Sequence, residues 1–183
     1  MRLQTREFMP LLDQTVARID PDQARQFVQE ILKATRIYVI GMGRSKLVIE
    51  CFAMRLVHLN KRVHLAMDST APALEPGDLL LAISGSGETS VVVSVAKTAK
   101  AIGAKVIAIS GCPGSDLGQI SDLMMVIPVK EIMSRSFNSL EFFPMGSLFE
   151  LSALIFFELC VHELMVKTEL EETQMKKRHI NLF

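Results

Sequence analysis

The sequence predicts an α/β fold, with a parallel sheet covered by helices on both faces and joined by right-handed crossovers. Three observations carry that expectation. From residue 36 onward, short apolar runs of strand length alternate with longer segments of helical periodicity. Two of these runs end in glycine turns that open directly into helical patterns, Gly41-Met-Gly-Arg-Ser45 and Ser84-Gly-Ser-Gly-Glu-Thr89. The run Leu79-Leu-Leu-Ala-Ile83 is apolar at every position, the pattern of a strand buried on both faces.

Taken in order, two amphipathic helices open the chain. The second runs from about residue 21 to 34, with Asp20 as N-cap and Pro21 at the first helical position. Residues 36–40 form the first strand, and a helix over 44–59 follows its glycine turn. Strands come next at 62–67 and 79–83, then a helix over 89–102 that Gly103 terminates as a C-cap. Strands at 105–109 and 123–128 complete the set of five. Residues 130–144 read as polar and irregular, 148–167 as a long apolar helix, and 169–178 as a charged one. No internal repeat or interdomain linker interrupts the pattern, so one domain over residues 1–183 is expected.

Composition narrows the function classes. Hydrophobic residues make up 49% of the 183, enough for a sizeable core, and disorder is expected only at the termini. Twenty basic residues balance twenty acidic ones, so charge gives no reason to expect nucleic acid or a membrane surface as partner. No signal-type apolar core follows the charged start, and the greasiest stretch, 148–161, is short for a membrane span and carries Glu150 and Glu158. Cys51, Cys112 and Cys160 are odd in number and widely spaced, which reads as reduced thiols in the cytoplasm. Cys51 and Cys160 fall in helical apolar patterns and are expected in the core, whereas Cys112 lies in a Gly/Pro loop.

The turn Ser84-Gly-Ser-Gly-Glu-Thr89 carries the clearest chemistry. A strand feeding a helix leaves the first helical N–H groups unpaired, and the helix dipole favours an anion there. Gly85 and Gly87 let the backbone approach that anion, while Ser84, Ser86 and Thr89 add hydroxyl donors without a fixed charge. A plain cap would need only one glycine and one hydroxyl, so phosphate on a small molecule is the expected occupant. The turn at Gly41-Met-Gly43 follows another strand end, and in open parallel sheets such ends converge on one crevice. There Arg44 favours a ligand role over a tight turn capped by Ser45. The third glycine of a dinucleotide fingerprint is missing, because position 46 is Lys. Neither a P-loop nor a serine-hydrolase elbow occurs.

Glu150 is the best acid–base candidate, although Ser147-x-x-Glu150 is also a capping-box pattern, and both readings stand. The four histidines show no metal-site spacing. His58 and His162 read as helix residues, and His179 as a cation complementing a helix C-terminus. Helix 148–161 is apolar on nearly all sides, with Phe156, Phe157 and Leu159 beyond the inward face, which means either deep burial or an interface, and the edge of a sandwich favours an oligomer interface.

On these residues the chain resembles the SIS (sugar isomerase) domain family, in its 6-phospho-3-hexuloisomerase branch. The matching segments are Ile40-Gly-Met-Gly-Arg-Ser45, Phe52-Ala-Met-Arg-Leu-Val-His-Leu59, Ile83-Ser-Gly-Ser-Gly-Glu-Thr89, Pro144-Met-Gly-Ser-Leu-Phe-Glu150 and Lys177-Arg-His-Ile-Asn-Leu182. The resemblance implies a three-layer α/β/α sandwich on a five-stranded parallel sheet, flavodoxin-like and doubly wound, assembling as a homotetramer. It implies conversion of D-arabino-hex-3-ulose 6-phosphate and fructose 6-phosphate into one another, within ribulose monophosphate formaldehyde fixation. No metal or organic cofactor is required for that reaction, and functional coupling to a 3-hexulose-6-phosphate synthase is implied. Carried over by motif, Ser84, Gly85, Ser86, Gly87 and Thr89 would hold the phosphate, and Gly43, Arg44 and Ser45 would line the sugar end. Glu150 would move the proton, and His179, given by a neighbouring subunit, would complete the site. Lys46 and Glu88 depart from the branch pattern, which bears on substrate preference. A sugar-phosphate sensor and an isomerase of another aldose–ketose phosphate pair are the alternatives.

Overall fold

The structure, a computed structural model, describes residues 5–135 and 143–182. It opens with α1 (Thr5–Ala17) and α2 (Pro21–Lys33). Asp20 caps α2 as the sequence requires: its carboxylate accepts the N–H groups of Asp22 (2.7 Å) and Gln23 (3.3 Å). Next come β1 (Arg36–Ile40), α3 (Gly43–His58), β2 (Arg62–Leu65), β3 (Leu79–Ile83) and α4 (Ser90–Ile102). Then follow β4 (Lys105–Ser110), α5 (Asp116–Ile120), β5 (Leu123–Val126) and α6 (Val129–Arg135). A 3-10 turn at Pro144–Gly146 leads into the long α7 (Ser147–Thr168), and the short α8 (Glu172–Lys176) comes last.

The five strands form one parallel sheet in the order β2-β1-β3-β4-β5. The winding therefore reverses between β1 and β3, and at that point an open α/β sheet leaves a crevice beyond its carboxyl edge. Register pairs Ile37 with Leu79 through to Ile40 with Ala82, so the turns after β1 and β3 leave the sheet side by side.

Alternation along the strands splits the interior into two cores. Ile37, Val39, Leu81, Ile83 and Ile107 pack with α2, α3 and α7, around a cluster that includes Phe27, Phe52, Phe156 and Phe157. The Phe52 and Phe157 rings stack with centroids 4.4 Å apart. Tyr38, Ile40, Leu80, Ala82 and Ala108 face the other way, onto α4 and Leu117 of α5. That second core is rich in alanine, including Ala96 and Ala99 of α4, which brings the helix close to the sheet. Gly103 ends α4 at φ 96°, the left-handed C-cap expected of it.

Several expectations change. Residues 129–135 are helical rather than irregular, and 136–142, in the rest of that stretch, lie outside the described residues. The short helix α5 has no counterpart in the sequence pattern; Ser115 caps it by accepting from Gly118 N–H. The charged helix is confined to 172–176, because Glu169 takes a left-handed conformation (φ 51°) that closes α7 first. Cys51 is exposed on α3, contrary to a core position, while Cys160 is buried as expected, and burial pushes its thiol well above the ordinary range. Phe156 and Phe157 are also core residues, because α1, α2 and α3 all pack on α7. The apolar circumference of α7 is thus largely covered by its own chain, although Leu159 stays 55% exposed.

Candidate active site

Two glycine turns and the start of α7 meet at the crevice. At Gly41 a Cβ would come within 2.7 Å of Ile83 Cγ2, so the first turn lies directly against the end of β3. Met42 occupies the N-cap of α3 and supplies no side-chain cap, and Ser45 does not cap the helix either. Its hydroxyl donates instead to Glu150 Oε1 at 3.2 Å. Arg44 Nη2 donates to Glu150 Oε2 (3.2 Å) and to the Met145 carbonyl (2.7 Å). The capping box at Ser147 is not formed: Gly146 (φ 76°) holds the N-cap position, and both Glu150 oxygens are engaged by α3. Phe149, beside it, lies against the second turn, where a Cβ on Gly85 would sit 3.1 Å from its ring. The start of α7 is therefore wedged between the two turns.

The second turn is held tightly. Ser84 is buried, and its hydroxyl accepts Gly87 N–H (3.0 Å) and shares a hydrogen bond with Thr89 Oγ1 (2.9 Å). Ser86 Oγ lies 3.5 Å from Ser84 Oγ and accepts Glu88 N–H at 3.2 Å. Thr89 is the N-cap of α4, but its side chain makes no capping bond. The backbone ladder of α4 begins with Val93 N–H donating to the Thr89 carbonyl (3.0 Å), so the earlier N–H groups point out of the helix end. Three hydroxyls and those amides bound a cradle suited to an anion.

Neighbouring loops brace this cradle. Ser110 Oγ and Gly111 N–H both donate to the Gly85 carbonyl, at 3.2 and 3.1 Å, and Leu117 N–H donates to the Gly87 carbonyl at 3.1 Å. Glu88, flagged in the sequence as a departure, accepts Asp116 N–H (3.0 Å) and so fastens α5 to the turn. Lys46, the other departure, points along α3 toward Glu50 at 3.6 Å. Cys112 is half-buried with Sγ 3.7 Å from the Gly85 carbonyl. Sequence reading missed the support from Phe149, Ser110 and Met145. Only the Pro144-Met-Gly146 punctuation hinted at it, through the left-handed Met145 (φ 56°) that presents its carbonyl to Arg44.

His179 is not brought to Glu150 within the chain. It is exposed, and its ring stacks on His58 with centroids 5.3 Å apart. His58 ends α3 and Ser45 lies in its first turn, so the two positions are about 20 Å apart along the helix. His162, on α7, is exposed.

Known proteins share this arrangement of sequence and fold. The SIS domain description matches residues 30–151. A 3-hexulose-6-phosphate isomerase from Mycobacterium gastri is 39% identical over 92% of this chain and 84% of its own length. One from Bacillus subtilis is 35% identical, covering 96% of this chain and 95% of its own. A solved structure from Methanococcus jannaschii, for which 3-hexulose-6-phosphate isomerase function was inferred, matches with a TM-score of 0.84 at 35% identity. That match covers 97% of this chain and 99% of the other.

Proposed function

The chain belongs to the SIS domain family, and from that premise we propose that it interconverts D-arabino-hex-3-ulose 6-phosphate and fructose 6-phosphate. The observation that carries this reading is the Glu150 carboxylate, held by Arg44 and Ser45 beside an anion cradle. The relatives named for this activity cover most of the chain.

The phosphate is assigned to Ser84, Ser86, Thr89 and the amides at the start of α4. Gly85 and Gly87 keep side chains out of its way, and Gly43, Arg44 and Ser45 face the sugar. Binding energy from the phosphate positions the reacting carbons. Glu150 removes the C2 proton of the 3-keto sugar, and the C–H electrons become the C2–C3 double bond as negative charge moves onto O3. A proton passes from O2 to O3, the C2 carbonyl forms, and Glu150 returns its proton to C3. One carboxylate on one face of a cis-enediolate serves both steps. Ser45, the backbone near Gly43 and His179 are the donors assigned to the developing oxyanion. A 3-keto sugar esterified at O6 cannot readily close a five- or six-membered ring, so the substrate arrives open-chain.

The distance between His179 and Glu150 along one chain supports a site completed by a second copy. A homotetramer in the cytoplasm, functionally coupled to the synthase that makes the hexulose phosphate, is part of the same reading. The test supplies 3-hexulose 6-phosphate, made by that synthase from ribulose 5-phosphate and formaldehyde, and follows fructose 6-phosphate. Turnover is expected with this substrate and not with arabinose 5-phosphate. Binding of fructose 6-phosphate without any turnover would replace the isomerase with a sensor.

A further inference from the structure

The cradle after β3 brings no fixed charge to its anion. Ser84, Ser86 and Thr89 offer hydroxyls, and the first turn of α4 offers amides, all of them neutral dipoles. A phosphate monoester carries about 1.5 to 2 negative charges near neutral pH. Arg44, at the sugar end, is already engaged by Glu150 and the Met145 carbonyl.

A cavity of about 610 Å³ opens on the β4 side of the cradle, bounded by Gly85, Ser86, Glu88, Cys112, Ser115 and Lys130. Small-molecule sites fall in the range of roughly 300–1,000 Å³. Two charged side chains line this cavity, and their commitments differ. Glu88 is tied down, because its carboxylate accepts Asp116 N–H at 3.0 Å. Lys130 is exposed and, among the described residues, has neither an ion pair nor a hydrogen bond from its side chain. The anchoring of Glu88 on α5 keeps the one carboxylate of the cavity from becoming the partner of Lys130.

Position 130 is fixed from two directions. Ile127 N–H donates to the Ser110 carbonyl at 2.9 Å, which carries the chain from β5 across the end of β4. Val129 and Ile132, three residues apart on one side of α6, are both buried in the main core. Val129 also lies against the loop after β4, where a Cβ on Gly111 would sit 2.9 Å from Val129 Cγ2. Gly111 N–H in turn donates to the Gly85 carbonyl. Packed backbone therefore runs from the phosphate turn through Gly111 to Val129, and the next residue is the lysine. Its ammonium is a compact point charge with three donors on a flexible four-carbon stem, suited to closing on an anion from one side.

We propose that Lys130 is the cation of the phosphate site, closing on the ester phosphate from the β4 side, across the turn from Glu150. Hydroxyls and amides then set the orientation of the phosphate, Lys130 supplies the charge, and Arg44 stays free to hold the carboxylate. This inference deepens the reading above and rests on the phosphate lying in the turn 84–89.

The test titrates the intact protein with inorganic phosphate and, separately, with fructose 6-phosphate. Lys130→Gln should weaken binding of both about ten- to a hundredfold, the size of a charge-assisted hydrogen bond. Lys130→Arg should regain most of that loss. KM for the hexulose phosphate should rise by a similar factor with kcat little changed, since the contact is remote from the reacting carbons. Added sodium chloride should weaken phosphate binding by the wild type more steeply than by Lys130→Gln, because screening acts on the charge that the variant lacks. Thermal melting should be unchanged, the side chain being exposed. Wild-type phosphate affinity in Lys130→Gln, or equal salt dependence of the two proteins, overturns the proposal. Ser86→Ala separates that failure from a wider one. If it weakens phosphate binding and Lys130→Gln does not, the cradle stands without Lys130; if neither does, the phosphate lies elsewhere and both assignments fall. Weaker phosphate binding in Lys130→Gln, with no turnover of the hexulose phosphate by the wild type, keeps Lys130 and rejects the isomerase reading.

Discussion

Glu150 had two destinations open to it, its own helix end or the start of α3, and the choice turns on a glycine. Gly146 takes the N-cap position at φ 76°, so Ser147 lies one place too far along to reciprocate a capping bond. Both carboxylate oxygens then pair with Arg44 and Ser45. Glycines at the two turns are under different constraints. At Gly87 (φ 72°) an added Cβ would lie 2.0 Å from Ser115 Oγ, whereas at Gly43 (φ 57°) it would meet open space. Gly87→Ala therefore incurs backbone strain of roughly 1–3 kcal/mol plus the displacement of Ser115 and the turn it braces. Thermal melting should show a lower Tm for Gly87→Ala than for Gly43→Ala, together with weakened fructose 6-phosphate binding. Equal melting and binding in the two variants would contradict this account of the turn.

Elements whose signal is local were legible. Asp20 with Pro21, Gly103 as a left-handed cap, and the apolar run of β3 all stand where sequence puts them. Those decided by tertiary partners were not. The pattern around Cys51 reads as apolar, but periodicity alone does not say that the core of α3 is on the side of Ile49, Phe52 and Leu56. The same holds for Phe156 and Phe157, whose burial depends on the opening helices folding back over α7. The docking of α8 against α3 is a further tertiary event, and it has a pH signature. Burial, with His179 and Arg55 adding to it, pushes the His58 imidazole below its ordinary 6.5. Between that value and the lowered native one, the unfolded chain binds more protons, so stability rises with pH. The contribution is fully present above about 6.5 and is lost as pH falls toward the native value. Urea midpoints between pH 7.5 and 5.5 should fall more steeply for the wild type than for His58→Gln; parallel profiles would mean His58 titrates normally.

At the scale of the whole molecule, the sheet order places the crevice and the sequence motifs line it. Strand alternation and the glycine turns foretold a parallel sheet with a crevice, and register at β1 and β3 sets those turns together. No spacing in the sequence foretells that Phe149 packs on Gly85 while its neighbour Glu150 reaches α3, because the contacts join segments more than sixty residues apart. The central claim is that this carboxylate moves the proton in a phosphate-anchored sugar. Its most direct test is turnover of 3-hexulose 6-phosphate by Glu150→Gln, with fructose 6-phosphate binding measured on the same preparation. The account predicts binding close to wild type and a rate lower by roughly two to four powers of ten. A variant that binds the sugar phosphate and turns it over at a near-normal rate would contradict it.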